Sequence, residues 1–418
     1  MTVILPFTRP IAGRRKTRRA DIGTLPSHQP PTGPGLSVAG AVAPWVESFA
    51  RHRRSPQDVY WLKENAELLS LLRVMQQRVG GGAGAGDFGD EAALSPLRPF
   101  YDRAARQLEF FPQYYRFILS ICLDYEDLIG TGHFGPNTRA AELAHWVAHQ
   151  GLVEAEMSDL QRAEARQLLA RRGISLPVDP GLDDRLRRFA RRSQTFAIPN
   201  RKAAYELTHI VFYLSDYGRR DPGLDGAVQR SLTYAGLLAC LDQDLDLLSE
   251  ICIALRYCGV TPPSRWEQAL TRAFERFILT PDGFDGHMDG YHAYFVTLWW
   301  QQICGPAQQP LGVDIGGLRA GALHIAMPET TSLLRPLSAW LLDVGGHSQT
   351  TAPQLWRSAV NEMTAQYGPQ AGQQLCDLQH SSPMFEGFWK IFSRSGDCGS
   401  KLRLIGSDGL SLLPRSPA

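Results

Sequence analysis

Tyr205-Glu206-Leu207-Thr208-His209-Ile210-Val211-Phe212-Tyr213-Leu214-Ser215-Asp216-Tyr217-Gly218 is the stretch on which the reading of this chain turns. Its apolar residues recur with a helical period, and Gly218 stands where a helix-terminating glycine belongs. It therefore predicts one helix running to Tyr217. At about 100° per residue, Glu206, His209, Tyr213 and Asp216 fall on one stripe about 80° wide. Tyr217, Ile210, Leu214, Leu207 and Val211 fill the sector on one side, and Phe212 lies on the other. An acid–histidine–acid stripe between apolar flanks is expected to face an interior or a cavity. Burying such groups is costly unless they pair with one another or bind something.

The same periodicity extends in both directions. Upstream, Ser55-Pro56 opens a helix through Asp58–Leu72, Pro112 begins another, and further helices are expected over Thr138–His149, Ser158–Arg172 and Leu182–Arg192. Downstream, helices are expected near 226–241, 244–258, 263–279 and 290–304, with breaks such as Gly259-Val260-Thr261-Pro262-Pro263. No β-hairpin signal is found before residue 310. The expected fold is all-α, with antiparallel helical hairpins forming an α/α-toroid or a compact α-solenoid and a helical C-terminal extension.

Composition sets the domain expectations. Residues 1–40 are rich in Pro, Gly and Arg, with six basic side chains (Arg9, Arg14, Arg15, Lys16, Arg18, Arg19) against Asp21 alone. They read as a disordered basic tail. A helical core is expected over 43–305, interrupted by a glycine-rich linker at 80–90. A helical extension follows over 306–392, and 393–418 reads as a poorly ordered tail. The glycine run Gly80–Gly86 follows a helix and lacks a following Gly-Lys-Ser/Thr, so it does not read as a phosphate loop.

Net charge is +1, which argues against a general polyanion binder. Basic residues are not interleaved with aromatics as an RNA platform requires, so nucleic acid is not expected as a partner. The chain has seven cysteines, no C-x-x-C, and no apolar run long enough to span a bilayer. Reduced thiols and a cytoplasmic location are the expectation. The N-terminal basic cluster is not followed by a hydrophobic segment, so no secretory signal is read there.

Candidate chemistry centres on the Tyr205 helix. Glu206-x-x-His209 places a carboxylate and an imidazole on one helix face, as in carboxylate-bridged metal bundles. Asp289-Gly290-Tyr291-His292 repeats the spacing at the start of an aromatic-rich helix, and Glu142-Leu143-Ala144-His145 is a third instance. The candidate metal ligands are Glu206, His209, Asp289 and His292, with a divalent metal as the candidate cofactor. A metal centre also needs carboxylates from other helices, and Glu64, Glu67, Asp124, Glu126, Asp127 and Glu250 are available. Spacing does not choose among them.

In the enzyme reading, His209 is base or ligand, Glu206 and Asp216 orient it, Tyr213 donates a hydrogen bond, and His292 is a second acid or ligand. The competing reading is a non-catalytic helical scaffold in which the same groups form a structural network. A protein or anionic partner would then bind a groove or the helix carrying Arg185, Arg187, Arg188, Arg191 and Arg192. The acidic run Asp124-Tyr125-Glu126-Asp127 lacks the spacing of a magnesium-binding Asp-Asp-x-x-Asp motif and reads as a solvated or Arg-paired face.

Three strings carry a resemblance: Asp58-Val59-Tyr60-Trp61-Leu62-Lys63-Glu64-Asn65-Ala66-Glu67, Phe110-Phe111-Pro112-Gln113-Tyr114-Tyr115-Arg116-Phe117, and Tyr205 to Tyr213. They resemble an uncharacterised bacterial domain-of-unknown-function family over about residues 45–305. The resemblance implies a helical cytoplasmic protein and carries over no activity or functional residue. The Tyr205 helix and Asp289–His292 are also similar to stretches of α/α-toroid-like proteins. The Gly80–Gly86 run and the long C-terminal part look peculiar to this chain.

Overall fold

Four polar residues show how local sequence starts the helices. Thr138, Asn200, Asp225 and Asp244 each stand before a helix, and their side-chain oxygens accept the backbone N–H groups of Ala141, Ala203, Ala227 and Leu247 at 3.1–3.3 Å. Each cap satisfies a donor that the first helical turn leaves open, an effect of about 1 kcal/mol.

The computed structural model describes residues 38–79, 91–130, 138–175, 179–280, 284, 286, 289–305, 321–345 and 351–395. Nearly all of the 1–40 tail, the 80–90 linker and most of the 393–418 tail lie outside the described residues. The helices, in chain order, begin with α1 (Val38–Glu47), α2 (Val59–Val79), α3 (Glu91–Leu94), α4 (Arg98–Phe110), α5 (Tyr115–Ile129) and α6 (Arg139–His149). Next come α7 (Asp159–Ala170), α8 (Leu182–Ala190), α9 (Arg201–Leu214), α10 (Gly226–Asp242), α11 (Leu245–Tyr257), α12 (Ser264–Phe274) and α13 (Tyr291–Cys304). The last are α14 (Leu334–Gly345), α15 (Ala352–Tyr367), α16 (Pro369–Gln379) and α17 (Phe385–Phe392). The fold is all-α. No helix among the described residues is long and apolar enough to cross a membrane.

Two short strands depart from the helical expectation. β1 (Ile278–Thr280) pairs antiparallel with β2 (His324–Ala326), placing Leu279 opposite Ile325. Three residues per strand leave too short an alternation to be seen in sequence. The ribbon is tied to the start of α13: Gly290 N–H donates to the Ile325 carbonyl at 2.7 Å, and Asp289 Oδ2 accepts from Ile325 N–H at 2.9 Å.

Helix α11 runs beside α9, α10 and α13, and α2 packs against α5 and α13. Aromatic side chains join them: Trp45 stacks on Tyr294 at 5.6 Å, and Phe212 meets Trp299 at 4.9 Å. After residue 321, α14, α16 and α17 also pack on α10, and Trp356 and Trp389 meet edge to face at 4.8 Å. Arg53 is fully buried and holds three segments together. It binds Glu64 of α2 at 2.9 Å and Asp289 at 2.9 and 3.1 Å.

The Tyr205 helix ends earlier than its sequence suggests. α9 stops at Leu214, and Asp216 and Tyr217 adopt positive φ angles of 48° and 55°. Gly218 follows at φ +83°, where a Cβ would meet the Tyr257 ring at 2.4 Å. The turn is thus fixed by close contact with Tyr257 as well as by glycine's freedom. Asp216 therefore leaves the helical stripe on which its spacing placed it.

Candidate metal centre

Helices α2, α9, α11 and α13 bring Glu67, His209, Asp246, Glu250 and His292 into one buried polar cluster. Asp246 and Glu250 stand one turn apart on α11, on the same face. Every other residue of that helix from Leu245 to Leu255 is apolar except Ser249. His292 comes from the first turn of α13, and Glu67 from the middle of α2.

His292 is held from both sides. Its Nδ1 lies 2.7 Å from Glu67 Oε2, and its Nε2 lies 3.3 Å from Asp246 Oδ1. The second contact is close but not aligned as a hydrogen bond: both Nε2 and Oδ1 are buried and make none. The other oxygen of Asp246 accepts from the Tyr205 hydroxyl at 2.6 Å. Glu250 Oε2 accepts from Thr208 Oγ1 at 2.5 Å. One ligand atom each from Asp246, Glu250 and His292 lie within 4.8 Å of one another.

Electrostatics divide these groups sharply. Burial opposes charging of His292, but Asp246 and Glu67 outweigh it and raise its pKa to about 10. Burial likewise penalises the Asp246 carboxylate, and His292 and Tyr205 overcome the penalty and hold its pKa low. Glu250 goes the other way: burial and the neighbouring Asp246 charge push it up. Burial pulls His209 down to about 3, so it is neutral. Its Nδ1 lies 2.7 Å from the Tyr205 carbonyl and 3.6 Å from Glu250 Oε2.

The sequence-expected residues separate into two groups. His209 and His292 both border the Asp246–Glu250 pair. Glu206 instead points toward Lys202 at 3.9 Å with a quarter of its side chain exposed. Asp216 accepts from Gln167 at 3.1 Å and lies 3.3 Å from Arg219. Tyr213 is buried, its ring edge-on to His209 at 6.0 Å. Asp289 is committed to Arg53. Of the carboxylates available from other helices, Glu67 and Glu250 join the cluster. Asp246 and Tyr205, the latter quoted only as part of the helix, belong to it as well.

The other charged runs are paired. Arg171 reaches Asp124 at 2.7 Å and Asp127 at 2.6 Å, and Arg172 reaches Glu126 at 2.9 Å. On α8, Arg185 binds Asp159 and Asp179, and just past its end Arg191 binds Asp225. Both read as ion-paired faces.

A cavity of about 50 Å³ opens beside the cluster, lined by Glu67, His292, Arg73, Leu71, Phe295 and Trp299. Of the two histidines, His292 lines it. Asp246 and Glu250 do not line it.

The chain belongs to the family described as Domain of unknown function (DUF6902), whose model matches residues 35–395. The match extends beyond the 45–305 span of the sequence resemblance and takes in the C-terminal helices, which are therefore not peculiar to this chain. No curated protein and no solved structure matches it.

Proposed function

We propose that this family member is a metal-dependent enzyme that holds one divalent cation between Asp246, Glu250 and His292. The observation that carries this reading is the facing pair of buried atoms, His292 Nε2 and Asp246 Oδ1, 3.3 Å apart and without hydrogen bonds. Buried polar atoms are nearly always partnered, and a shared cation would partner both. Glu67 occupies the place of the outer carboxylate that fixes a ligating histidine, accepting from Nδ1–H, so that a cation displacing the Nε2 proton would meet the Nε2 lone pair. Thr208 and Tyr205 similarly orient Glu250 and Asp246.

One nitrogen and two carboxylates suit zinc, manganese or iron. Three protein ligands leave a position for water, which such a cation would activate for hydrolysis. The free thiols among the described cysteines fit a cytoplasmic location.

A second reading has its own observation. His292, charged between Glu67 and Asp246, already forms a closed ion triad across α2, α11 and α13. In that reading the network fixes helix packing in a scaffold. Calorimetric titration of chelator-stripped protein with Zn²⁺ and Mn²⁺ separates the two. Saturable binding in wild type that is lost in Asp246→Asn supports the metal centre. No heat beyond dilution with either ion would leave the scaffold.

A further inference from the structure

The cavity beside His292 runs between two helices. Glu67, Leu71 and Val74 of α2 line it, and so do His292, Val296 and Trp299 of α13. Each set recurs at three- or four-residue spacing, so each is one face of its helix. Both stripes begin at the Glu67–His292 contact and continue as apolar side chains. Trp299 is wedged among the rings of Phe212, Tyr217 and Tyr257, at 4.9, 6.0 and 6.4 Å, which makes it a fixed wall. The charged side chains that border the cavity belong to balanced clusters. Arg73 joins Arg171 and Arg172 against Asp124, Glu126 and Asp127. His292 joins Lys63 against Glu67 and Asp246. The Ser70 hydroxyl, also on the wall, donates to Asp124 at 2.7 Å.

We propose that this cavity binds an uncharged, short-chain aliphatic ligand, whose chain lies along Leu71, Val74, Phe295 and Val296. A charged ligand would lose its hydration there and meet no countercharge that is not already matched. An apolar chain carries no such penalty, and on entry it takes its own surface and that of the walls out of water. About 50 Å³ gives room for roughly four water-sized groups, so the occupant is a chain of about four carbons. An apolar cavity beside a cluster of titratable side chains is also the usual setting of a small-molecule site. As a statement of substrate class, an uncharged substrate seated beside His292, this rests on the metal-centre reading. As a binding site it stands on the apolar walls and the charge balance alone.

The test titrates the full chain in EDTA with ethanol, propan-1-ol and butan-1-ol, and with butyrate and butylammonium, read by saturation-transfer NMR. The alcohols are expected to bind saturably, about fourfold more tightly for each added methylene. Butyrate and butylammonium are expected to bind roughly tenfold or more weakly than butan-1-ol. Val74→Phe places a larger side chain in the cavity and is expected to abolish butan-1-ol binding while circular dichroism shows the fold intact. The alcohol series and the two charged probes need no variant, so the test does not depend on Val74→Phe folding. No saturable butan-1-ol binding, no gain with chain length, equal binding of either charged probe, or unchanged affinity in folded Val74→Phe overturns the inference. Butan-1-ol binding by a chain that takes up no metal would retain this site and remove the metal-centred enzyme. Metal uptake without butan-1-ol binding would do the reverse.

Discussion

Glu67 Oε2 stands 2.7 Å from Nδ1 of His292, joining the middle of α2 to the first turn of α13 across a separation of 225 residues. The contact fixes which imidazole nitrogen faces the Asp246–Glu250 pair. Outer carboxylates of this kind typically change metal affinity by about 10–100-fold when removed. Glu67→Gln is therefore expected to weaken Zn²⁺ or Mn²⁺ binding by that factor without abolishing it. Calorimetric titration beside wild type checks this, and unchanged affinity counts against the assignment.

Glu250 separates metal binding from stability. Burial and Asp246 raise its pKa, so the resting group is largely the neutral acid that Gln imitates. Gln also offers Thr208 an acceptor in the same place. Glu250→Gln is expected to unfold in urea within about 1 kcal/mol of wild type while losing metal binding. A large loss of stability would mean that the carboxylate is needed structurally.

Arg53 carries the opposite expectation. Its side chain is fully buried between Glu64 and Asp289, themselves 1% exposed. Arg53→Met removes the arginine partner of Asp289 and leaves Glu64 to Arg54 at 2.6 Å, and is expected to cost about 3–5 kcal/mol, read as a lower urea midpoint. The same change is expected to loosen the β1–β2 ribbon, because Asp289 also accepts from Ile325 N–H.

Gly236 opposes helix propensity to packing. Alanine in the interior of α10 gains about 1 kcal/mol of propensity. Its Cβ would stand 2.3 Å from the Trp266 ring, which is 1% exposed and has little room to move. Overpacking costs about 1–3 kcal/mol, so Gly236→Ala is expected to destabilise on balance. Thermal unfolding followed by circular dichroism decides the sign.

Asp127 gives a pH dependence with a defined direction. Burial raises it, but Arg171, Arg172 and Arg73 prevail and hold it below its ordinary value of 3.8. The folded value lies below the unfolded one. Its stabilisation is thus complete above about pH 4 and is lost as pH falls through the folded value. Asp127→Asn is expected to be less stable than wild type at pH 6, with the gap closing below pH 4 in urea titrations. A gap that does not close there removes this carboxylate from acid unfolding.

The all-α fold was legible because most elements are long amphipathic helices with caps such as Thr138 and with Pro or Gly breaks. The helix expected over 244–258 is found at Leu245–Tyr257, and that expected over 290–304 at Tyr291–Cys304. The end of the Tyr205 helix was not legible. Gly218 suggested a cap, but Tyr257, far along the chain, shapes the turn that removes Asp216 from the stripe. The site was half legible. His292 and His209 stood out as histidines among apolar neighbours, whereas partner choice among the carboxylates depends on how α2 and α11 pack. Asp246 and Glu250, the acids of an otherwise apolar helix face, gave the same kind of signal as the Tyr205 stripe. Asp289 shares its spacing with Glu206, yet it serves a buried arginine from the N-terminal region, which no local pattern reveals.

The most direct test of the metal centre is elemental analysis by ICP-MS of protein purified without chelator, comparing wild type, His292→Gln and Glu206→Gln. Zinc, manganese or iron is expected at one ion per chain in wild type, retained in Glu206→Gln and lost in folded His292→Gln. Metal-free wild type after dialysis against each ion, or metal retained in His292→Gln, would contradict it.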